Sequence, residues 1–424
     1  MQPWRTRISL AAIRGPAGWF LLWAGIPIGA WAADWPQFLG PERNGSTPEV
    51  IGVAWPTDGP TRRWRLDAGA GFAGPVVAEG KAVLFHRIGS DDVLTVVDAS
   101  SGARIWEQRQ ASTFEDEMGS GDGPRGTPAI SGGRVFTLGA DGRLSCHSMA
   151  EGRRVWSVST RDQFHADAGF FGFGCSPLVV GGKVLVNVGG RPGAGLMAFE
   201  AESGRVAWKL RDDEAGYASP VPTSMKGDGP PTVLFFNREG LVGVNGSGGV
   251  ESFAFPWRSR MSASVNAASP VVSGDEIFLT SSYGTGAVLL RRRGATLETV
   301  WSGDESLSAH FATPVLRAGF LYGFHGRQER GPELRCVEWT TGKVRWSEEG
   351  LGSGSVILAG DRLVLLLESG SLVVARAEPD RYSPLARAQV LGRVARAPFA
   401  MAGGKLYARD SRQWVALEVA PGSP

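Results

Sequence analysis

The chain has 424 residues, among them 60 Gly, 26 Pro and 15 Trp; 42% are hydrophobic and 20% charged, with a formal charge of +2. That hydrophobic share excludes intrinsic disorder. Gly at roughly twice average usage, without a triplet period, excludes both a helical bundle and collagen and leaves a turn-rich β protein. In chain order, residues 1–33 read first as a secretory leader: Arg5, Arg7 and Arg14, an apolar stretch from Ala17 to Ala30, and a small-x-small cleavage site at Ala30-Trp31-Ala32. The stretch is shorter than the about 20 residues of a membrane span, so no span is expected once the leader is cleaved. No Cys stands near the cleavage point, so no lipobox is present. The leader holds three arginines and no acid, so the rest of the chain carries 41 basic and 42 acidic residues, net −1. No electrostatic footprint for nucleic acid survives. Cys146, Cys175 and Cys336 have neither metal-ligand nor haem spacing and read as small buried strand residues.

After an arm over residues 34–59, one short motif recurs: a small residue, then usually Ser, Thr or Gly, then Pro and an apolar residue. It occurs at Pro75, Pro128, Pro177, Pro220, Pro270, Pro314 and Pro398, with Gly354-Ser355-Val356 holding a place where Pro is lost. The intervals are 53, 49, 43, 50, 44 and 84 residues, and the last fits two units. Eight units of this period are propeller blades. Within a unit, Gly turns separate short apolar strands such as Val184-Leu-Val-Asn-Val and Leu363-Val-Leu-Leu-Leu.

The fourth strand of a unit ends in Trp. Trp106, Trp156, Trp208 and Trp346 follow a Gly at one fixed spacing, Trp301 keeps the aromatic behind a shifted turn, and Phe253 or Phe255 stands in for it in unit four. A Gly there supplies a positive φ at no Cβ cost, and the Trp is placed to pack on the neighbouring blade. The last unit lacks such a strand, whereas Trp64, near the beginning, sits in one with no blade before it. Pairing the two closes a ring and removes the open edge. The expected fold is therefore all-β: one eight-bladed propeller of four-stranded antiparallel blades over residues 60–420, closed by an N-terminal strand and followed by a tail at 421–424. An open β array or two sandwiches is the alternative.

Val97-Asp-Ala-Ser-Ser-Gly102-Ala-Arg-Ile-Trp106, Ala198-Phe-Glu-Ala-Glu-Ser-Gly204-Arg-Val-Ala-Trp208 and Val337-Glu-Trp-Thr-Thr-Gly342-Lys-Val-Arg-Trp346 resemble the A-x-D-x-x-T-G-x-x-x-W docking motif of pyrroloquinoline-quinone-type (PQQ-like) propeller repeats. Asp34-Trp-Pro-Gln-Phe-Leu-Gly-Pro-Glu-Arg-Asn-Gly45 is similar to the arm that opens many exported bacterial members. The resemblance implies a scaffold shared by quinoprotein dehydrogenases and the BamB propeller of the outer-membrane assembly machinery. For alcohol-oxidising members it implies Ca²⁺ on oxygen ligands, a catalytic Asp and a disulfide between adjacent cysteines. No Cys-Cys pair occurs here. No cofactor is therefore expected, and PQQ with Ca²⁺ is kept as the alternative.

Function must be read from a site, since a fold hosts many. Two long connections, Gln108 to Pro124 and Ser157 to Phe173, are expected side by side over one mouth of the channel. Glu115, Asp116, Glu117 and Asp122 offer oxygen ligands to a hard cation, although a solvated charge run has the same composition. His165 and Asp167 could be a base and its orienter, with no nucleophile placed beside them. Arg125, Tyr217, Asn266 and His310 precede the repeat Pro by three or four residues and are expected to line the channel, joined by Arg191, Arg238, His325 and Arg327. Phe170, Phe171 and Phe173 read as a contact patch or a lid. The expected function is an exported, non-catalytic scaffold or binding platform, periplasmic or extracellular, for a protein partner or a cell-envelope ligand. A small PQQ-dependent oxidoreductase and a carbohydrate-binding propeller are the alternatives.

Overall fold

A computed structural model describes residues 34–421 apart from 57, 120, 224, 226–230, 263 and 393. The leader expected over residues 1–33 and most of the tail at 421–424 lie outside the described residues. Among the described residues no helix is long and apolar enough to cross a membrane.

Eight antiparallel sheets of four strands follow one another around an axis. Blade 1 sets the pattern with Val76–Ala78, Lys81–Ile88, Asp91–Asp98 and Arg104–Ala111 paired in that order. Blades 2 to 7 repeat it from Ala129, Leu178, Val221, Val271, Val315 and Gly354; blade 8 begins at Ala400. The second and third strands lie between neighbouring blades, so they read as near-continuous apolar runs: Thr232–Phe236 and Arg362–Leu367 are buried along almost their whole length. The first strand is only three residues long in blades 1 to 6 and 8 and opens just after the repeat Pro, where a missing N–H costs no ladder bond.

The Ser or Thr before that Pro ties neighbouring blades together. The Gly74 N–H donates to Thr127 Oγ1 (3.0 Å), the Thr127 N–H to Ser176 Oγ (3.0 Å), the Ser176 N–H to Ser219 Oγ (2.9 Å), the Ser219 N–H to Ser269 Oγ (3.1 Å) and the Ser269 N–H to Thr313 Oγ1 (2.9 Å). A hydroxyl donates and accepts at once, which an apolar side chain at that position could not do.

Further out, each Trp lies on the turn between the third and fourth strands of the next blade. A Cβ on Gly102, Gly152, Gly204, Gly249 or Gly342 would fall 2.5–2.8 Å from the indole of Trp64, Trp106, Trp156, Trp208 or Trp301 respectively. These indoles donate Nε1–H to carbonyls of the same turns, Trp106 to Met149 at 2.9 Å and Trp156 to Ala201 at 3.0 Å. Trp346 donates to Glu378 at 3.0 Å. In blade 4 Phe253, not Phe255, takes the Trp register opposite Gly243, and Arg292 of blade 5 stacks on it at 4.8 Å.

Arg62–Asp67 completes blade 8 against Gln413–Glu418, with Trp64 opposite Ala416. Between this strand and residue 34, the arm crosses the channel end on the side of the turns joining first and second strands. Trp35 bridges Val77 of blade 1, and Pro36 takes the Ile130 N–H of blade 2. The buried Arg43 guanidinium donates to the Ser176, Pro177 and Pro220 carbonyls of blades 3 and 4. Ser46–Thr47 then adds a parallel strand to blade 7, and Glu49 takes the Gly403 and Gly404 N–H groups of blade 8.

Candidate functional site

With the arm across one end, the other end of the axis is a funnel enclosing about 210 Å³. Its walls come from the connections that enter successive blades. Phe72, Phe171, Tyr217 and Phe311 supply aromatic surface; Arg125, His310, Gln328 and Arg396 supply polar groups.

The connection into blade 3 puts Phe171 in the funnel through Tyr217. The Phe171 N–H donates to the Tyr217 hydroxyl at 3.0 Å, and the rings meet edge to face at 5.8 Å. Burial raises the pKa of that phenol, so it stays protonated. Arg125 stacks over Phe114 at 4.9 Å and Phe72 at 5.6 Å and pairs with Asp116 at 3.3 Å. Arg396 approaches Phe72 at 6.0 Å and pairs with Glu368 at 2.6 Å. Both guanidiniums are thus neutralised from behind, while their planes extend the aromatic wall.

His310 sits in a chain of polar contacts. Its Nδ1 bonds Gln328 Oε1 at 3.0 Å and its Nε2 meets the Tyr283 hydroxyl at 2.7 Å. Burial lowers the imidazole pKa, so the ring is neutral, donating from Nδ1 and accepting at Nε2. Arg327 lies over the Tyr283 ring at 4.7 Å and pairs with Glu329 at 3.1 Å.

Of the residues singled out from sequence, Arg125, Tyr217 and His310 therefore meet in the funnel, and Arg327 stands one contact behind. Asn266 does not line it: Val265 and Ala267 do, while the buried Asn266 amide donates to the Asn237 and Trp257 carbonyls. Its alternating neighbours take the axial direction, which leaves the amide to satisfy backbone between blades. Arg238 donates to the Ser262 carbonyl and His325, at the end of its strand, accepts the Ser308 N–H at 3.0 Å; neither lines the funnel. Arg191 reaches the Asp212 carbonyl instead of the axis.

His165 and Asp167 are both exposed. His165 ends a short helix, Thr160–Phe164, in a left-handed conformation, and Asp167 accepts the Gly169 N–H of its own loop at 3.2 Å. The pair is thus not arranged as a base and its orienter. Phe170 is exposed and Phe173 is buried between blades 2 and 3, so the three phenylalanines have three different surroundings.

The acidic residues do not converge. Asp116 faces Arg125 while its N–H bonds Asp122 at 2.8 Å, and Glu115 and Glu117 are exposed. Among the described residues no group of three or more His, Cys, Asp or Glu is placed to hold a metal ion. Cys146, Cys175 and Cys336 are unpaired and buried, and burial pushes their thiols up to about 12, 11 and 11. Among the described residues the funnel wall thus carries arginines, a neutral imidazole and an amide but no carboxylate. That donor set does not fit a Ca²⁺-bound quinone, since Ca²⁺ requires several oxygen ligands.

Sequence reasoning does not single out Phe72, Phe311 or Arg396, although for the two phenylalanines a signal exists. Phe72, Arg125, Gly174, Tyr217, Ala267 and Phe311 all stand three residues before a repeat Pro, and all six line the funnel.

The geometry defines a ring-closed propeller with an aromatic axial receptacle. The chain belongs to the PQQ-like propeller family whose model is described as outer membrane protein assembly factor BamB, which matches residues 90–348. Quinohemoprotein alcohol dehydrogenase ADH-IIG of Pseudomonas putida is 29% identical over 38% of this chain and 21% of its own length. BamB of Burkholderia pseudomallei is 26% identical over 43% of this chain and 42% of its own. The matched segments thus span less than half of these relatives. Among solved structures, BamB from Moraxella catarrhalis superposes with a TM-score of 0.61 at 15% identity, covering 86% of this chain and 99% of that one. Quinohemoprotein alcohol dehydrogenase from Comamonas testosteroni gives 0.61 at 14% identity, covering 92% and 81%. At those identities the likeness shows the fold.

Proposed function

We propose that the protein is an exported, non-catalytic binding propeller that holds a protein partner of the cell envelope by taking an apolar or aromatic side chain of a partner loop into the funnel. The observation that carries this reading is the axial space itself. One end is crossed by the arm, and the other is walled by Phe72, Phe171, Tyr217 and Phe311 with two charge-compensated guanidiniums. Such a concave, largely apolar site with few polar groups suits an inserted side chain. The leader-like residues 1–33 support export, and the assembly-factor description of the family supports a protein partner. The want of carboxylates on the wall supports a non-catalytic role over quinone chemistry.

The test is a photo-crosslinking residue at Phe170, exposed beside the funnel, in intact cells. A discrete adduct to one envelope protein is expected, and it should be lost when Phe171→Ala is added to a protein that still melts like wild type. An adduct indifferent to Phe171→Ala removes the funnel from the interaction. PQQ and Ca²⁺ added to purified protein are expected to leave Tm unchanged; a rise would replace this reading by the quinone one, because a ligand of the native state must stabilise it.

A further inference from the structure

A second cavity, of about 190 Å³, lies between blades 1 and 2, away from the axis. It interrupts a pattern that the next interface keeps. Cys146 of blade 2 and Ala198 of blade 3 both pair with the blade's Trp, which puts the two blades in register. At matched positions blade 3 sets Val186, Met197 and Phe199 into the apolar interface with blade 2. Blade 2 sets Thr137, Ser145 and His147 at these positions, and all three line the cavity. Propeller blades are held by burying apolar faces, so polar groups at three adjacent core positions weaken the interface unless something occupies the space between them.

Ser145 Oγ shares a hydrogen bond with Ser157 Oγ at 3.0 Å, but two nitrogens of the wall make none. His147 is 8% exposed and its Nδ1 has no hydrogen-bond partner; the Nε of Arg143 has none either, its nearest charge being Asp141 at 3.8 Å. Across the cavity, Asp92 is 3% exposed and gives Oδ1 to Arg87 at 2.7 Å, while Oδ2 faces Gly139 of the cavity wall. Three charges are compensated pairwise, Arg87 with Asp92, Arg143 with Asp141 at 3.8 Å and Arg109 with Glu107 at 2.9 Å, while the exposed Arg154 donates to the neutral Gln110 Oε1 at 3.3 Å. Burial holds the His147 imidazole neutral, with its pKa lowered to about 4. An anion would meet Asp92, and a cation would meet Arg143 and Arg154. A neutral molecule whose groups each donate and accept satisfies both walls.

We propose that this interblade cavity is a binding subsite for one neutral, hydroxyl-rich ring of the hexose class, held by Asp92, Thr137, Ser145 and His147 and by the Arg143 guanidinium. It is separate from the funnel and does not depend on what the funnel binds.

The test is saturation-transfer NMR on the full chain with glucose, galactose, mannose, N-acetylglucosamine and inorganic phosphate, each titrated into the millimolar range expected of a single small ring. At least one sugar is expected to bind, at least tenfold more weakly in His147→Ala and in Ser145→Ala. Arg143→Gln, at the half-buried wall, replaces His147→Ala if that variant fails to fold. Binding by none of the sugars, binding unchanged in the wall variants, or competition by phosphate at equal concentration each overturns the proposal.

Discussion

The indole Nε1–H of Trp64 donates to the carbonyl of Ala99 at 3.1 Å, so the strand that completes blade 8 grips blade 1 through the contact that Trp106 makes with blade 2. Trp64 is also packed edge to face on Trp414 at 5.0 Å, and Tyr407 donates its hydroxyl to the same Ala99 carbonyl at 3.1 Å. The seam of the ring is thus built like its other joints, with extra aromatic surface.

Trp64→Ala is therefore expected to cost about 3–5 kcal/mol, the usual loss for a large buried aromatic. Urea denaturation followed by Trp fluorescence reads it. A loss below about 1 kcal/mol would mean that closure is carried by the backbone ladder and not by this side chain.

Two glycines with similar backbone but different surroundings separate strain from packing. Gly152 has φ +72° with a would-be Cβ 2.6 Å from Trp106; Gly132 has φ +56° with open space around it. Gly132→Ala is expected to cost about 1–2 kcal/mol, the left-handed penalty alone. Gly152→Ala should cost at least about 1–2 kcal/mol more, because the half-buried Trp106 indole, packed between blades, must also move. Equal losses would show that the Trp gives way freely.

The ring, its blade count and its closing strand were legible in the sequence because each rests on local, repeated chemistry: a Pro that opens an inner strand, a Gly that needs positive φ, a Trp at fixed offset. The funnel was half legible. Arg125 and Tyr217, three residues before a repeat Pro, and His310, four before, are legible as polar residues, whereas Phe72 and Phe311 at the three-residue offset carry no polar group to single them out. The path of the arm was hidden. Nothing local distinguishes Arg43 from a surface arginine; its burial depends on carbonyls more than 130 residues away. The role of the Ser and Thr before Pro was hidden for a related reason, since each bonds across blades and not within its own.

Those hydroxyls can be tested one at a time. Ser219→Ala leaves the Ser176 N–H, buried near the axis, without its acceptor. A buried donor left unpaired costs about 1–3 kcal/mol, and its amide hydrogen should exchange faster than in wild type. Ser219→Thr, as Thr127 and Thr313 show, keeps the oxygen and should stay within about 1 kcal/mol of wild type. Exchange at Ser176 unchanged in Ser219→Ala would mean that water takes over the hydroxyl's place.

The dependence on pH follows from His86, which lies between blade 1 and the end of blade 8. Its Nδ1 accepts the Gly69 N–H at 2.8 Å, and burial, helped by nearby Arg409, lowers its pKa from 6.5 to about 4. Between those values the unfolded chain takes up a proton that the folded protein refuses, so this group's contribution is present above pH 6.5 and is lost as pH falls toward 4. The loss is about 3 kcal/mol at 1.36 kcal/mol per pK unit. Asp92 works in the opposite sense: burial raises its carboxyl to about 6, so its contribution is present below about 4 and is lost as pH rises through 6. The wild-type profile mixes the two, and the difference against a variant isolates one. His86→Gln keeps an acceptor for the Gly69 N–H and removes the titration. The stability gap between wild type and His86→Gln, measured by urea at pH 7 and pH 4, is expected to shift by about 3 kcal/mol in favour of the variant at the lower pH. Parallel profiles would mean that His86 is protonated in the folded protein and that its partners rearrange to accept the charge.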